Sequence, residues 1–535
     1  MVQISPIKSL NKNVFVQRNI IKTEENLAEF IDCIFDKIYK HDLNLSEKTK
    51  AKNYVLEGKI ALGTSLYTNL LQKQKPMGAC TVLSHKFTKD ISKQVLNGVG
   101  VGFDLTETKN PIDTLQSLNK LLKSMDGKTQ RPPAGIALLD IYHKDIEHFI
   151  SLKRKPNFPN WRFNISVSIP DRFMQSLSKN KNIILTNGKE ISSSEIYSNL
   201  VNSMHSSGEP GIIFKDTVEA SNPLPKHKYK GMASCAEIAL EDNEMCLFSH
   251  INLPAFLKND NTIDYNSLAD ATKSLTRLLD NVININLEER ISSDNISALK
   301  RRFGIGICGY ADILAQMNIA YGSKEAQSVL TSCLETINYA SKQASMKLAK
   351  ERGRFPLFNE SRYNDFSFLM KHAENSPVSK ENWKDLYNDV QKNGLRNATT
   401  TALPPTGSSS RIVESSFSIE PYFSLKSNKI FQNKLKEMNL DEGQLSQVKD
   451  IIHSSGDCQN ISILPSWFRK TFRLGGQISY KEHLETVGTA QKFIDDGISK
   501  TVNIPQDSPV SIVDKIIKQA YNLNLKGITV FRNTQ

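Results

Sequence analysis

The sequence predicts an α/β fold, and two observations carry that prediction. First, short apolar runs of strand type alternate with longer stretches of helical periodicity. The strand-like runs lie at 135–139, 163–169 and 183–185, and the helical patterns between them lie at 144–153 and 194–204. Second, further helical patterns follow at 266–283, 324–350 and 510–523. Alternation of this kind is typical of parallel strands that are joined by helices.

The first element is a helical pattern at 24–40, where apolar residues repeat along one face. Thr23 is the expected N-cap, and Glu24 and Glu25 then fall in the first turn, where negative charge stabilises the helix dipole. Further along, the glycine-rich stretch Gly98–Asp104 lacks the GxGxxG spacing of a phosphate loop. It predicts instead a close backbone approach beside a strand.

Composition excludes several classes of protein. No apolar run in the 535 residues approaches the roughly 20 residues of a membrane span, and the amino terminus lacks the apolar core of a secretory signal. We therefore expect a cytoplasmic protein without membrane contact. The net charge of +12 suits a protein that handles anions such as nucleotides. The lysines are scattered rather than clustered with aromatic residues, so we expect no nucleic-acid partner.

The seven cysteines are spread along the chain without paired spacing, which argues against a secreted disulfide framework. The sequence contains no CxxC motif and no histidines at zinc-finger spacing, so no metal site is predicted. If these cysteines carry chemistry, the pattern favours thiol redox or radical chemistry.

Three cysteines and one glutamate form the first candidate site. Within Ala233–Glu237, the thiol of Cys235 lies two residues from the carboxylate of Glu237, and in an extended segment both side chains project to one side. Cys246 follows an acidic loop, after which a returning strand can bring it alongside. Cys80 stands where a strand begins. Taken alone, each thiol is more consistent with an inert buried cysteine, which is the usual state of a lone thiol.

A second candidate site is rich in hydroxyl groups. Asn397 is followed by the run Pro404–Ser410, and Ser418–Pro421 lies beyond it. Clustered hydroxyls and free backbone N–H groups after a proline turn form a cradle for an anion such as phosphate. A flexible serine-rich loop is an alternative that composition leaves equally open.

In chain order, from about residue 60 to residue 532, these motifs resemble the catalytic (large) chain of the ribonucleotide reductases. The matching stretches are Pro76–Leu83, Ala134–Gly135, Leu139–Ile146, Asn164–Val167, Gly208–Gly211, Ser234–Glu237, Cys246–Leu253, Gly304–Gly306, Ala311–Asp312, Ser499–Pro505 and Lys526–Thr529. The resemblance is closest to the adenosylcobalamin-dependent class II. It implies a ten-stranded α/β barrel of two five-stranded parallel halves with a central finger loop. It also implies an N-terminal helical region over 1–75 and, over 76–535, the barrel with C-terminal helical additions.

The resemblance implies that Cys235 becomes a thiyl radical and removes the ribose 3′ hydrogen, while Glu237 is the general base on the 3′ hydroxyl. Cys80 and Cys246 would supply two electrons and become a disulfide. The product would be a 2′-deoxyribonucleotide, a precursor of DNA. The implied substrate-binding residues are Ala79, Ala233, Ser234, Asn397, Pro405, Thr406, Gly407, Ser408, Ser409 and Ser410. Lys128, Gln130 and Arg131 resemble the specificity loop that relays effector identity to the base site.

The resemblance also implies a cofactor, because thiol and hydroxyl groups do not generate a radical unaided. Family members that are served by a second radical subunit carry adjacent tyrosines near the carboxyl end, where this chain reads Ile528–Arg532 without a tyrosine. We therefore expect adenosylcobalamin. The sequence ends at Gln535 without the cysteine-bearing tail of many relatives, so we expect an external thioredoxin-like reductant. The expected assembly is a monomer or a homodimer.

One departure keeps two alternatives open. Ala233 stands where the family usually has an asparagine that hydrogen-bonds the substrate ribose. The chain could therefore be a diverged radical enzyme that acts on another nucleotide-like substrate, or a catalytically silent nucleotide-binding paralogue. The presence together of Cys80, Cys235, Glu237 and Cys246 argues against silence.

Overall fold

The computed structural model describes residues 10–86, 88–129, 131–154, 161–289, 296–374 and 377–532. The strands are β1 Ile60–Leu62, β2 Cys80–Val82, β3 Gly100–Asp104, β4 Gly135–Asp140, β5 Phe163–Ile169, β6 Asn182–Ile184, β7 Glu190–Ser192, β8 Gly211–Phe214, β9 Gly231–Met232, β10 Ala239–Leu240, β11 Met245–Cys246, β12 Phe248–Asn252, β13 Gly304–Cys308, β14 Thr501–Ile504 and β15 Gly527–Arg532. Within these ranges, no helix is both long enough and apolar enough to cross a bilayer.

The α-helices are α1 Lys12–Gln17, α2 Leu27–Ile38, α3 Leu45–Leu56, α4 Thr64–Asn69, α5 Thr88–Leu96, α6 Pro111–Lys123, α7 Ile146–Ser151, α8 Asp171–Ser178, α9 Ser193–Ser207, α10 Lys215–Ala220, α11 Tyr265–Glu288, α12 Ile296–Lys300, α13 Tyr310–Gln316, α14 Lys324–Arg352, α15 Phe366–Met370, α16 Lys380–Asn393, α17 Ser409–Ile412, α18 Lys429–Lys436, α19 Glu442–Ser455, α20 Ser466–Thr471, α21 Tyr480–Gln491 and α22 Ser511–Asn522. Short 3-10 turns lie at Leu253–Phe256, Phe358–Glu360, Arg362–Asn364 and Gly475–Gln477.

The principal sheet has eight strands in the order β11-β2-β3-β4-β5-β8-β15-β14. The central strands β2, β3, β4, β5 and β8 are all parallel, and helices α5, α6, α7 and α9 lie on the connections between them. Buried side chains such as Val101, Phe103 and Val167 pack in one core with apolar residues of those helices. The α/β prediction, with parallel strands joined by helices, is confirmed.

A second sheet has the order β1-β12-β13, in which β12 and β13 are parallel and β1 is antiparallel. Isolated bridges extend it, because Ile305 pairs with Thr401 and Leu403 pairs with Ile498, both in parallel. The long helices α11 and α14 pack against each other and share a core with this sheet.

The chain passes directly from the principal sheet to the second sheet, because β11 ends at Cys246 and β12 begins at Phe248. Just before this crossing, β9 and β10 pair as a hairpin over residues 231–240, which we call the central hairpin. Its residue Met232 packs on the principal sheet, whereas Ala233 packs in a cluster that includes Phe248 of the second sheet. The central hairpin therefore touches both sheets.

Close packing of the central hairpin depends on a glycine of β3. A Cβ atom at Gly102 would overlap the carbonyl oxygen of Met232. This is the close backbone approach that the glycine-rich stretch Gly98–Asp104 predicts.

Two local predictions are wrong. The helix predicted over 24–40 is α2, which follows the short helix α1 and begins at Leu27, because the side chain of Asn26, not Thr23, accepts the amide of Ala28 as the N-cap. The acidic residue of its first turn is Glu29. The strand predicted at 183–185 exists, but it pairs antiparallel with β7 in a separate hairpin outside the principal sheet.

The described strands fall into these separate sheets, and a closed ten-stranded barrel is not assigned among them. Gln130, one of the predicted specificity-loop residues, lies outside the described residues.

We predict that Gly102→Ala destabilises the protein, because the new methyl group must displace the central hairpin. Overpacking of this kind costs about 1–3 kcal/mol, which thermal unfolding measures as a lowered Tm. Gly443→Ala is the control, since only a carboxylate oxygen lies near its Cβ position at 3.4 Å. Equal Tm values for the two variants would contradict the prediction.

Candidate active site

Cys80 and Cys246 face each other across two short antiparallel strands. The register of β2 and β11 sets the two residues directly opposite, and the amide of Ala79 donates to the carbonyl of Cys246 over 2.9 Å. Opposed residues in such a ladder have Cα atoms about 4.5–5.5 Å apart, which is within the span of a disulfide. Both thiols are free and buried. The geometry therefore provides a dithiol that can close to a disulfide.

Cys235 lies on the turn of the central hairpin. The sequence predicts an extended segment here, and that prediction is wrong. The amide of Ala233 donates to the carbonyl of Ile238, and Ala236 has a φ of 60°, so the segment is a tight turn. Cys235 and Glu237 nevertheless line one cavity, because the turn directs both side chains into it.

Ser234 links the thiols. Its Oγ lies 3.1 Å from Sγ of Cys80 and 3.9 Å from Sγ of Cys235. The ligand atoms of Cys80, Glu237 and Cys246 lie within 4.8 Å of one another, a spacing that a metal ion could also bridge. The structure thus gathers the three cysteines and the glutamate of the first candidate site.

Burial sets the protonation state of these groups. It raises the pKa of Glu237 to about 8, and Oε2 of this carboxyl has no hydrogen-bond partner among the described residues. Burial, together with the Glu237 charge, raises the pKa of Cys235 far above its ordinary value. The hydrogen bond from Cys246 and the charge of Arg131 lower the pKa of Cys80. Cys235 is therefore held as a thiol, which suits transfer of a hydrogen atom better than nucleophilic attack by a thiolate.

The cavity over these groups has a volume of about 550 Å³, within the usual range for a small-molecule site. Five cationic side chains line it, namely Arg18, Lys75, Lys128, Arg131 and Arg411. None of the five forms an ion pair with a carboxylate of the described chain, and Glu237 is the acidic residue of the lining. Burial and the charges of Arg411 and Arg131 lower the pKa of Arg18. Uncompensated positive charge of this density favours a polyanionic ligand.

The predicted hydroxyl cradle forms one wall of the cavity. Thr406 has a φ of 57°, and its carbonyl accepts hydrogen bonds from the hydroxyls of Ser409 and Ser410. The Thr406 hydroxyl accepts the amide of Ser418. Pro405, Thr406, Gly407, Ser408 and Ser409 all line the cavity. The loop is therefore an ordered turn rather than a flexible serine-rich segment.

Several predicted site residues line the cavity and others do not. Besides the cradle, the lining includes Ala79, Cys80, Lys128, Arg131, Cys235 and Glu237. Cys246, Ala233, Ser234 and Ser410 lie behind it, in contact with residues that line it. Asn397 is outside the cavity, because its amide nitrogen donates to Asp280 Oδ1 and to the carbonyl of Arg301. Its side chain is therefore engaged within the protein.

Four lining residues that matter chemically have no counterpart among the predictions from the sequence, namely Arg18, Lys75, His250 and Arg411. The local sequence could have indicated two of these residues. Arg411 directly follows the cradle, and His250 alternates with Phe248 along a strand that begins beside Cys246. Arg18 and Lys75 had no local signal, since only the fold brings their segments to the cavity.

Comparison with known proteins gives one family. The family described as "Ribonucleotide reductase, barrel domain" matches residues 100–531. A vitamin B12-dependent ribonucleoside-diphosphate reductase of Mycobacterium tuberculosis is 29% identical over 425 residues, which are 76% of this chain and 57% of the relative. One of Thermoplasma acidophilum is 28% identical over 471 residues, which are 82% of this chain and 58% of the relative.

Among solved structures, the Actinobacillus ureae class Id ribonucleotide reductase alpha subunit superposes with a TM-score of 0.80 at 20% identity. That match covers 98% of this chain and 97% of the solved one. By contrast, the chain spans somewhat more than half the length of the curated relatives that it matches.

We predict that Glu237 stays protonated at pH 7 and ionises as the pH rises through about 8, because burial disfavours its charged form. Difference infrared spectra between the unaltered chain and Glu237→Gln should show a carboxylic-acid band at pH 7 that disappears by pH 9. Glu244→Gln is the control, since Arg302 and Lys300 lower the pKa of that buried carboxyl. A Glu237 band that is absent at pH 7 would rule out the raised pKa.

Proposed function

The chain belongs to the ribonucleotide reductase large-chain family, and from this premise we propose that it reduces ribonucleotides to 2′-deoxyribonucleotides by thiyl-radical chemistry. The observation that carries the proposal is one cavity in which a protonated thiol and a mainly protonated carboxyl lie beside a dithiol and five cations that form no ion pair within the described residues. A nucleotide has the matching parts, because a neutral sugar is attached to a polyanion.

Cys235 acts first in this proposal. As a thiyl radical it takes the 3′ hydrogen atom of the ribose, which forms an S–H bond and leaves an unpaired electron on C3′. Glu237 takes the proton of the 3′ hydroxyl in its ionised form, which is the minority form at pH 7 because its pKa is about 8. Its raised pKa, close to the working pH, suits a group that takes a proton and later returns it.

Cys80 and Cys246 supply the reducing equivalents. One thiol proton leaves with the 2′ hydroxyl as water, C2′ gains the second hydrogen, and the two sulfur atoms lose two electrons as they form a disulfide. Cys235 then returns its hydrogen atom to C3′ and is again a thiyl radical. Since Cys80 lines the cavity and Cys246 does not, we propose that an external thioredoxin-like protein reduces the disulfide by attack on Cys80.

The cradle over 404–409 and the five cations would hold the phosphates, while Ala79 would border the sugar with Ser234 behind it. Lys128 and Arg131 fit the proposed specificity loop, because both line the cavity. Their partner in that proposal, Gln130, lies outside the described residues. Asn397 would act on the substrate only indirectly, through its bonds to Asp280 and Arg301.

Adenosylcobalamin is the proposed radical source, and when bound it supplies the one-electron oxidant for the thiol. Cys235 is half-buried and lines the cavity, which would leave its thiol accessible to that chemistry. Leu96, an exposed apolar side chain, and its neighbours Asn97 and Gly98 line that cavity and would hold the cofactor. The names of the Mycobacterium and Thermoplasma relatives support the same cofactor.

We propose that the two sheets are the halves of a ten-stranded barrel and that the central hairpin is its finger loop. The five parallel strands β2, β3, β4, β5 and β8 support one half. The strands β1, β12 and β13, extended by the bridges at Thr401 and Ile498, support the other. The division at residues 75 and 76, the monomer or homodimer and the cytoplasmic location stay predictions.

A diverged reaction on another nucleotide-like substrate is the second candidate. Ala233 favours it, because its methyl group offers no hydrogen bond to a sugar in a buried cluster.

Anaerobic incubation of the purified chain with adenosylcobalamin, dithiothreitol and each ribonucleotide tests the proposal. We expect a deoxyribonucleotide product, detected by chromatography, and a radical signal by paramagnetic resonance. Cys235→Ser should abolish both with an unchanged Tm, whereas the control Cys33→Ser, at an exposed cysteine, should keep full activity. A radical without deoxyribonucleotide would favour the diverged reaction. The absence of both the radical and the deoxyribonucleotide would overturn the proposal.

We predict that Ala233→Asn raises the rate of product formation, because an amide at this position can hydrogen-bond the ribose. One such bond made in the transition state is worth about tenfold in rate. Measured kcat should rise while binding of the nucleotide changes little. An unchanged or lower kcat would mean that the alanine does not limit the reaction.

A further inference from the structure

His250 is a buried histidine without a hydrogen bond. Its ring is 3% exposed, Nδ1 has no partner within the described residues, and the residue lines the cavity. The other buried histidines are all bonded: His143 accepts the amide of Asp145, His372 pairs with the carbonyl of Lys492, and His483 pairs with the carbonyl of Gly475. Among the buried histidines of the described chain, His250 is therefore the one whose ring remains available to a ligand in the cavity.

The fold holds this ring in one place. In the parallel pairing of β12 with β13, His250 lies opposite Gly306. A Cβ atom at Gly306 would come to 3.0 Å from both Nδ1 of His250 and Cδ of Pro404. The imidazole therefore occupies the space that the glycine leaves, beside the first residue of the cradle.

The surroundings also decide which ring nitrogen carries the proton. Burial lowers the pKa of His250 to about 3, so the ring is neutral and has one N–H donor. Nδ1 is enclosed and has no acceptor, and an unsatisfied buried N–H is costly, so Nδ1 is the bare nitrogen. The proton is then on Nε2, which is not one of the fully buried polar atoms without a partner, and the residue lines the cavity. His250 thus presents a neutral donor to the ligand.

The position along the strand selects the part of the ligand. His250 comes four residues after Cys246 and lies on β12 of the second sheet, not on either strand that carries the dithiol. One neighbour of His250 is Pro404 of the cradle. The other is Ala61, its partner on β1, which lies just before the lining residues Gly63 and Thr64. A donor here meets phosphate oxygens, which only accept hydrogen bonds.

We propose that His250 is a positioning residue that donates a hydrogen bond from Nε2 to a phosphate oxygen of the bound nucleotide. This inference rests on the proposed function and adds to it. Glu237 would contact the sugar beside the thiols, and His250 would contact the phosphate beside the cradle. The two residues would therefore fix the position of the nucleotide along the cavity.

Isothermal titration of the full-length chain tests the inference without any radical cofactor. The ligands are ADP and CDP, each compared with its nucleoside, and inorganic pyrophosphate. His250→Phe removes the donor, and we expect it to weaken diphosphate and pyrophosphate binding about tenfold or more while nucleoside binding stays unchanged. His250→Gln keeps a neutral N–H donor and should restore diphosphate affinity to within about threefold of the unaltered chain.

His483→Gln is the matched control, because it alters a buried histidine outside the cavity and should leave all affinities unchanged. An equal loss for nucleoside and diphosphate, or no loss in His250→Phe, would overturn the inference. If the unaltered chain binds pyrophosphate in a His250-dependent way but binds no nucleotide, the proposed function fails and the anion contact stands. If it binds neither, both fail.

Discussion

The register between two very short strands is the constraint on which the site depends. β2 and β11 pair so that Cys80 lies opposite Cys246, and this pairing fixes where the chain leaves the principal sheet. After a single intervening residue the chain enters β12 of the second sheet, and β12 carries Phe248 and His250 to the cavity. A slip of one residue would turn both cysteines away from each other and would also reverse the faces of β12.

The central hairpin depends on the same crossing. Its turn presents Cys235 and Glu237 between the two sheets, and the amide of Gly497 donates to the carbonyl of Glu237 to hold the turn from the far side. Gly102 lets the hairpin lie close against β3. The thiol that would carry the radical and the dithiol that would supply electrons are therefore held by backbone contacts, not by flexible side chains.

Neutral and cationic side chains line the same cavity. Burial favours the neutral forms of Cys235 and Glu237, whereas the five cations form no ion pair with a carboxylate among the described residues. This combination suits a ligand that joins a neutral sugar to a polyanion. His250, beside the cradle, would add a neutral donor to the proposed phosphate contact.

Short-range patterns in the sequence are enough to predict the elements of the fold and two candidate sites. Periodicity gave the parallel α/β framework and the helices, and residue spacing singled out Cys235 with Glu237 and the hydroxyl run after Pro404. The local pattern wrongly predicts the N-cap at Thr23 instead of Asn26, because several neighbouring residues can cap a helix. Only the tertiary structure shows the register that sets Cys80 opposite Cys246, the approach of Arg18 and Lys75 to the cavity, the position of Asn397 outside it, and the lack of a hydrogen-bond partner for His250 Nδ1 among the described residues. These outcomes depend on strand register and on packing between distant segments, which no local pattern encodes.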